Sequence, residues 1–225
     1  MLVAGFAAGA LATNCWVVAA GAGEPCVVVD PGIDAAGALA AMLHRHRVRP
    51  VAVLLTHVHL DHTWAAAEVC GEWGIPAYIH PADRAQIADP WSGLGVEPGT
   101  DLFGRTEFAE PDEVRELADV QPLDVAGLSF AVRRTPGHTP GSVIYAVAGD
   151  RAPLVFGGDL LFASSIGRSE RPGGSSAEMA RTITDVLLPM DDATVIHPGH
   201  GDSTTIARER AGNPFLAAVA GGISL

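Results

Sequence analysis

The chain has 225 residues, nearly half of them apolar, which is enough to bury a substantial core and too hydrophobic for a disordered segment. Its 14 basic residues face 26 acidic ones, a formal net charge of −12, and this counts against a nucleic-acid surface, which needs clustered positive charge.

In chain order, the first twenty residues, MLVAGFAAGALATNCWVVAA, are apolar but carry no basic residue before Arg45, so they lack the start of an export signal. Gly5, Gly9, Thr13 and Asn14 interrupt the run, which argues against a membrane span and for two strands. Cys15, Cys26 and Cys70 are odd in number and widely spaced. They read as reduced, buried thiols of a cytoplasmic protein.

Strand-like runs follow at NCWVVAA (14–20) and CVVVD (26–30), with AGAGEP as the turn between them. A helix is expected from about Asp34, where Leu39, Met42, Leu43 and His46 fall at i, i+3, i+4 and i+7. VAVLL (51–55) is short, apolar and rich in branched residues, as a strand covered on both faces would be. Another helix should start near Thr63 and stop by Gly74. Residues 89–122 are rich in Gly, Pro and acid, and read as a long excursion with little regular structure. Trp91, Leu94, Val96, Leu102 and Phe103 make its first part, 89–110, a candidate wall of a substrate channel.

The alternation then resumes. LSFAVRR (128–134) and VIYAV (143–147) read as paired strands, followed by PLVFGGD (153–159). Ser175 to Glu178 forms a capping-box pattern before a helix with Met179, Ile183, Val186 and Leu187 on one face. ATVIH (193–197) is the last expected strand, and a helix from about Ser203 leads into an apolar tail. Runs of strands with helices between them predict an α/β chain of two sheets packed face to face with helices outside, as one domain over residues 1–225.

The chemistry concentrates at THVHLDH (56–62). In an extended backbone His57 and His59 point to the same side and can converge on one ion, whereas Asp61 and His62 come as the chain turns into the next helix. One ion cannot comfortably take all four, but two neighbouring ions can if distant residues complete each shell. His138 in TPGHTPGS, Asp159 at the end of PLVFGGD and His200 in HPGHG each lie just past a strand, where they could meet at one rim.

THVHLDH, TPGHTPGS, GGD and PGHG together resemble the metallo-β-lactamase superfamily, and GGDLLFASSIGRS with PGHG is similar to its glyoxalase II-like, or hydroxyacylglutathione hydrolase-like, branch. The resemblance implies a four-layer αββα sandwich and two divalent metal ions, zinc in the first place, with iron or manganese acceptable to the same ligands. It implies that His57, His59 and His138 hold one metal and Asp61, His62 and His200 the other, with Asp159 bridging them. Asp61 and Asp159 are expected to serve catalysis as well, and Asp30 in VDPG would orient a ligand imidazole. His44 and His46 are expected on an exposed helix face, His80 and His197 in structural roles, and Arg168 bonded to loop carbonyls, with a substrate contact as its alternative.

Two cations about 3.5–4 Å apart can supply hydroxide at neutral pH and polarise a carbonyl. A thioester suits such a site, because a thiolate with a pKa near 8–9 leaves without a general acid. Hydrolysis of a small-molecule thioester is therefore the expected activity. Two alternatives are a mononuclear-iron persulfide dioxygenase and an RNA-processing nuclease of the same superfamily. No nucleic-acid or membrane partner is expected, and oligomeric state stays open. Glutathione is not the expected carrier. The residues after His200 leave no room for a helical glutathione-binding domain, and the acidic balance offers no general attraction for an anionic thiol.

Overall fold

In the computed structural model, which describes residues 1–223 and 225, the strands assemble into two six-stranded sheets. The first holds β1 (Leu2–Ala8), β2 (Thr13–Ala19), β3 (Pro25–Val29), β4 (Arg49–Leu54), β5 (Ala77–Ile79) and β6 (Val114–Glu116), side by side in chain order. Its first three strands are antiparallel and the rest join in parallel. The second is built from β7 (Val120–Val125), β8 (Leu128–Arg134), β9 (Val143–Ala148) and β10 (Pro153–Gly158). After a small ribbon, β11 (Leu161–Phe162) with β12 (Ser165–Ile166), it gains β13 (Val195–Pro198) and β14 (Thr204–Thr205) beside β10. Only the β10–β13 pair of this sheet is parallel.

Helices cover both outer faces. In chain order they are α1 (Ala35–His46), α2 (Leu60–Thr63), α3 (Ala66–Trp73), α4 (Pro81–Arg84), α5 (Pro90–Leu94), α6 (Ser176–Thr182), α7 (Ile206–Gly212) and α8 (Pro214–Ala220). A π-helical turn, Ile183–Leu187, prolongs α6.

The strand pleat explains why the apolar runs are continuous. Val27 and Val29 of β3, with Ala52 and Leu54 of β4, point between the sheets and pack near Phe130, Tyr145 and Phe156. Val28, Val53 and Leu55 point the other way, into a layer with Leu39 and Leu43 of α1 and Val69 of α3. On the far side Ile144 and Val155 meet Met179, Ile183 and Leu216. A strand buried on both faces has no polar side to present, so its sequence does not alternate. This is the αββα sandwich. Tyr145 ties its halves together, donating a 2.8 Å hydrogen bond to the Leu55 carbonyl. Emptying the central layer at Phe130, which is fully buried, would cost about 3–5 kcal/mol.

Three cysteines are free and buried, and burial first of all pushes the Cys26 and Cys70 thiols up to about 12. Among the described residues, no helix is long and apolar enough to cross a membrane.

Three sequence expectations need correction. Residues 89–122 are not one irregular excursion, for they contain α5, β6 and the start of β7. Both strands are sheet edges, where a proline such as Pro122 is tolerated and the hydrophobic signal is weak. The helix expected near Thr63 is broken into α2 and α3, and α2 begins earlier, at Leu60. ATVIH is not the last strand, because the short β14 pairs with β13 and Thr205 then caps α7. The Ser175 cap forms as expected, its Oγ accepting from the Glu178 N–H at 3.2 Å.

Candidate metal centre

The ends of four strands build one rim. His57 and His59 follow β4, and α2 then carries Asp61 and His62. His138 lies in the β8–β9 loop, Asp159 directly follows β10, and His200 follows β13. The structure brings all seven together. Two groups each place one donor atom per residue within 4.8 Å of the others: His57 with His59 and His138, and Asp61 with His62 and His200. Asp159 lies between the groups. Its Oδ2 is 3.6 Å from Nε2 of both His138 and His200, and its Oδ1 is 3.3 Å from His62 Nε2.

Hydrogen bonds behind the rings decide which nitrogen faces the cleft. His138 Nδ1 lies 2.6 Å from the Arg168 carbonyl and His200 Nδ1 lies 3.1 Å from the Leu11 carbonyl. A carbonyl only accepts, so both Nδ1 atoms carry the proton and both Nε2 lone pairs turn inward. His62 Nδ1 donates to Asp30 Oδ2 at 2.9 Å in the same way. Thr56 Oγ1 gives its own proton to Asp30 Oδ2 at 2.6 Å and can therefore accept from His57 Nδ1 at 3.0 Å. Asp30 also accepts from the Thr56 N–H at 2.8 Å. It belongs to a third acid–imidazole cluster with His57 and His62, but its oxygens are already engaged, so it supports the rings from behind.

The inward atoms are left bare. His57 Nε2, His62 Nε2, His138 Nε2 and Asp159 Oδ1 are buried without a hydrogen-bond partner. Uncompensated buried polar atoms each cost about 1–3 kcal/mol, and four in one cleft fit the donor set of a metal centre.

Protonation follows the same geometry. Burial first, then the neighbouring imidazoles, holds His57 well below the usual imidazole range and takes His59 down to about 3. Burial likewise lowers His138. Burial also opposes charge on His62, but Asp159 and Asp61 overcome it and hold its pKa well above the usual value. Asp61 and Asp159 stay below theirs, because the facing imidazoles outweigh the effect of burial. The His57 side of the cleft is thus neutral and electron-rich, whereas the Asp61 side draws positive charge.

Such crowding requires a residue without a side chain. A Cβ on Gly199 would collide with Asp159 Oδ1 and the His62 ring, which accounts for the glycine before His200.

Sequence reasoning missed Asp83. Its Oδ2 accepts from the Val58 N–H at 3.1 Å, between His57 and His59, and its Oδ1 accepts from Gly141 N–H at 2.6 Å, beyond His138. Nothing in HPADR announces this, because the partners lie on other segments.

The remaining candidates sit elsewhere. His44 is exposed and His46 half-buried on α1. His80 caps α4 and pairs with Asp119 at 2.8 Å. His197 packs between Trp16 and Phe156. The Arg168 expectation is overturned: its guanidinium bonds no loop carbonyl among the described residues, and its own carbonyl accepts from His138. The side chain instead lines the cleft, a cavity of about 550 Å³. Of the five apolar side chains expected in a channel wall, Leu94 and Phe103 line this cavity, with Leu11, Leu60 and Phe162. Trp91 is buried beneath the loop, bonded to the Thr100 carbonyl.

Known proteins are similar to this chain in sequence and fold. The chain is 47% identical over 220 residues to an uncharacterized protein of Mycobacterium tuberculosis, covering 96% of this chain and 98% of the relative. It is 34% identical over 194 residues to the probable metallo-hydrolase YqgX of Bacillus subtilis (86% and 88% covered). It is 31% identical over 194 residues to the hydroxyacylglutathione hydrolase GloC of Haemophilus influenzae (84% and 86%). Among solved structures, the B3 metallo-β-lactamase BLEG-1 superposes with a TM-score of 0.83 at 34% identity, over 96% of this chain and 99% of that one. TTHA1623 in a di-iron-bound form superposes with a TM-score of 0.76 at 31% identity, over 96% and 100%. The family model of the metallo-β-lactamase superfamily matches residues 8–200, from the end of β1 to the last imidazole of the cleft. The match spans most of the chain and the fold agrees with it, so the chain belongs to the metallo-β-lactamase superfamily.

Proposed function

We propose that this chain is a binuclear metallo-hydrolase of the glyoxalase II-like branch, acting on small-molecule thioesters. His57, His59 and His138 would hold one divalent cation and Asp61, His62 and His200 the other, with Asp159 between them. Two such ions would supply hydroxide at neutral pH and polarise the scissile carbonyl. The di-iron form of TTHA1623 favours occupancy by two ions. Zinc, iron and manganese all suit this donor set.

The observation that carries the choice of substrate is the lining of the cleft. Apart from the candidate ligands it consists of Leu11, Leu60, Leu94, Phe103, Phe162, Arg168 and Arg171. None of these can donate a proton near neutral pH, since a guanidinium stays charged. This favours a leaving group that departs as a stable anion, as a thiolate does, over an amine from an amide, which would need a proton. The similarity to GloC points the same way. Asp159 orders the site from the chain's side, and Asp30 and Thr56 keep His62 and His57 in the required tautomers.

The test is to load purified protein with zinc, iron or manganese and assay a thioester panel, nitrocefin for β-lactam hydrolysis, and oxygen uptake with a persulfide. Thioester hydrolysis without oxygen uptake is expected. β-Lactam turnover with no thioesterase activity would place the chain with BLEG-1 in function. Stoichiometric oxygen uptake would make it a dioxygenase.

A further inference from the structure

Arg168 and Arg171 are the two basic side chains lining the cleft. Neither guanidinium makes a hydrogen bond or ion pair among the described residues, although acidic groups outnumber basic ones by 26 to 14. Arg84 holds Glu110 and Glu116, Arg115 holds Glu113, and Arg210 holds Asp192, whereas Arg168 and Arg171 stand at the cleft without such a carboxylate. Glu170, between the two in sequence, accepts from the Ser169 N–H at 3.2 Å and pairs with neither.

The backbone beneath them is nonetheless pinned. The Arg168 carbonyl takes the His138 Nδ1 proton, Ser169 Oγ meets Ser176 Oγ at 2.7 Å, and the Arg171 carbonyl accepts from the Gly174 N–H at 2.8 Å. Two charged forks are thus presented to the cavity from a fixed segment, and a ligand would meet little ordering cost in the backbone. Two divalent cations would outweigh the carboxylates of Asp61 and Asp159, and the arginines add to the excess. With those cations bound, the cleft would be cationic in a chain of net charge −12.

Resting on the thioester reading above, we propose that Arg168 and Arg171 form an anion clamp that takes a carboxylate of the substrate, making the site selective for anionic thioesters. A guanidinium matches a carboxylate through paired N–H donors. The apolar side chains Leu94, Phe103 and Phe162 line the rest of the cavity, where a hydrocarbon part can lie. Whole-chain charge therefore misjudges the site. It speaks against attraction of anions at long range, but local charge governs binding inside the cleft.

The test uses binding as well as turnover. Cobalt-loaded protein is titrated with 3-mercaptopropionate and with its neutral isostere 3-mercaptopropionamide, following the thiolate-to-cobalt charge-transfer band. In parallel, kcat/KM is measured for the S-acetyl thioesters of both thiols. Wild type should prefer the carboxylate about tenfold, as a charge-assisted hydrogen bond predicts. Arg168→Gln and Arg171→Gln should each reduce that ratio, the double variant should bring it near one, and Arg171→Lys should restore part of it. Metal content and melting temperature identify variants that remain folded, and Arg171→Gln alone decides the matter if Arg168→Gln does not fold. Equal affinity in wild type, or a preference that survives the double variant, would overturn the clamp. A carboxylate preference in binding with no thioester turnover would leave the clamp standing and sink the thioesterase reading. Turnover without preference would do the reverse.

Discussion

Asp83 accepts a 2.7 Å hydrogen bond from Thr139 Oγ1 across an interval of 56 residues. The same carboxylate takes N–H groups beside His57 and beyond His138, so it sets the spacing of the loops that carry the first histidine triad. Burial raises its pKa and the three hydrogen bonds oppose that rise. Asp83→Asn would turn an NH₂ group toward an N–H or hydroxyl donor, at about 1–3 kcal/mol for the unsatisfied group. We expect zinc affinity to fall about 10–100-fold, as when other supports behind a ligand are removed, together with a lower urea midpoint. Chelator competition on folded Asp83→Asn protein checks this, and unchanged zinc affinity would show that the carboxylate serves stability alone.

Asp159 and His200 should separate in metal stoichiometry. Asp159 reaches imidazoles of both triads, whereas His200 contacts Asp61 and Asp159. Elemental analysis after dialysis against a weak chelator should find about two metals in wild type and about one in His200→Ala. Asp159→Ala should retain less than either. One metal in fully loaded wild type would remove the binuclear reading.

How far these relations could be read beforehand depended on their range. VAVLL and CVVVD announced buried strands because both faces of β3 and β4 meet apolar layers. His57, His59, Asp61 and His62 stood out because they crowd one short segment, and His138, Asp159 and His200 because each follows a strand. β6 and β7 were hidden because edge strands tolerate polar residues and proline. Asp83 was hidden because its partners are remote in sequence, and the placing of Arg168 and Arg171 at the cleft because two arginines do not stand out in an acidic total.

His197 supplies a pH test away from the ligands. Packed on Trp16 and Phe156, it is lowered by burial from 6.5 to about 4. Between those values the unfolded chain holds a proton that the native chain does not, so stability is full above about pH 6.5 and declines toward pH 4. His57, His59 and His138 act in the same direction, so the comparison must be differential. His197→Phe keeps the stacking and removes the titration. Urea unfolding of metal-free protein should show uptake of up to about one proton fewer in that window than wild type. An identical slope would mean that His197 is not excluded from water as its packing implies.

Arg105 tests whether the segment after α5 shapes the cleft. Its guanidinium lies 4.2 Å from the centre of the Trp64 ring and donates to the Trp64 carbonyl at 3.1 Å. Trp64 in turn meets Phe103 and Phe108 edge to face, at 6.2 and 5.6 Å. Phe103 lines the cavity, so this cluster joins the segment's tip to the helical layer that follows the histidine motif. A half-exposed cation–π contact contributes about 0.5–1 kcal/mol, too little to unfold the protein but enough to loosen a loop. Arg105→Ala should raise KM for thioesters with long apolar acyl groups by about 2–5-fold, the range set by that energy. Acetyl thioesters, too short to need the Phe103 wall, should change less, and metal content should not change. A uniform rise in KM for short and long acyl groups would assign Arg105 to general stability and would remove the segment from substrate recognition.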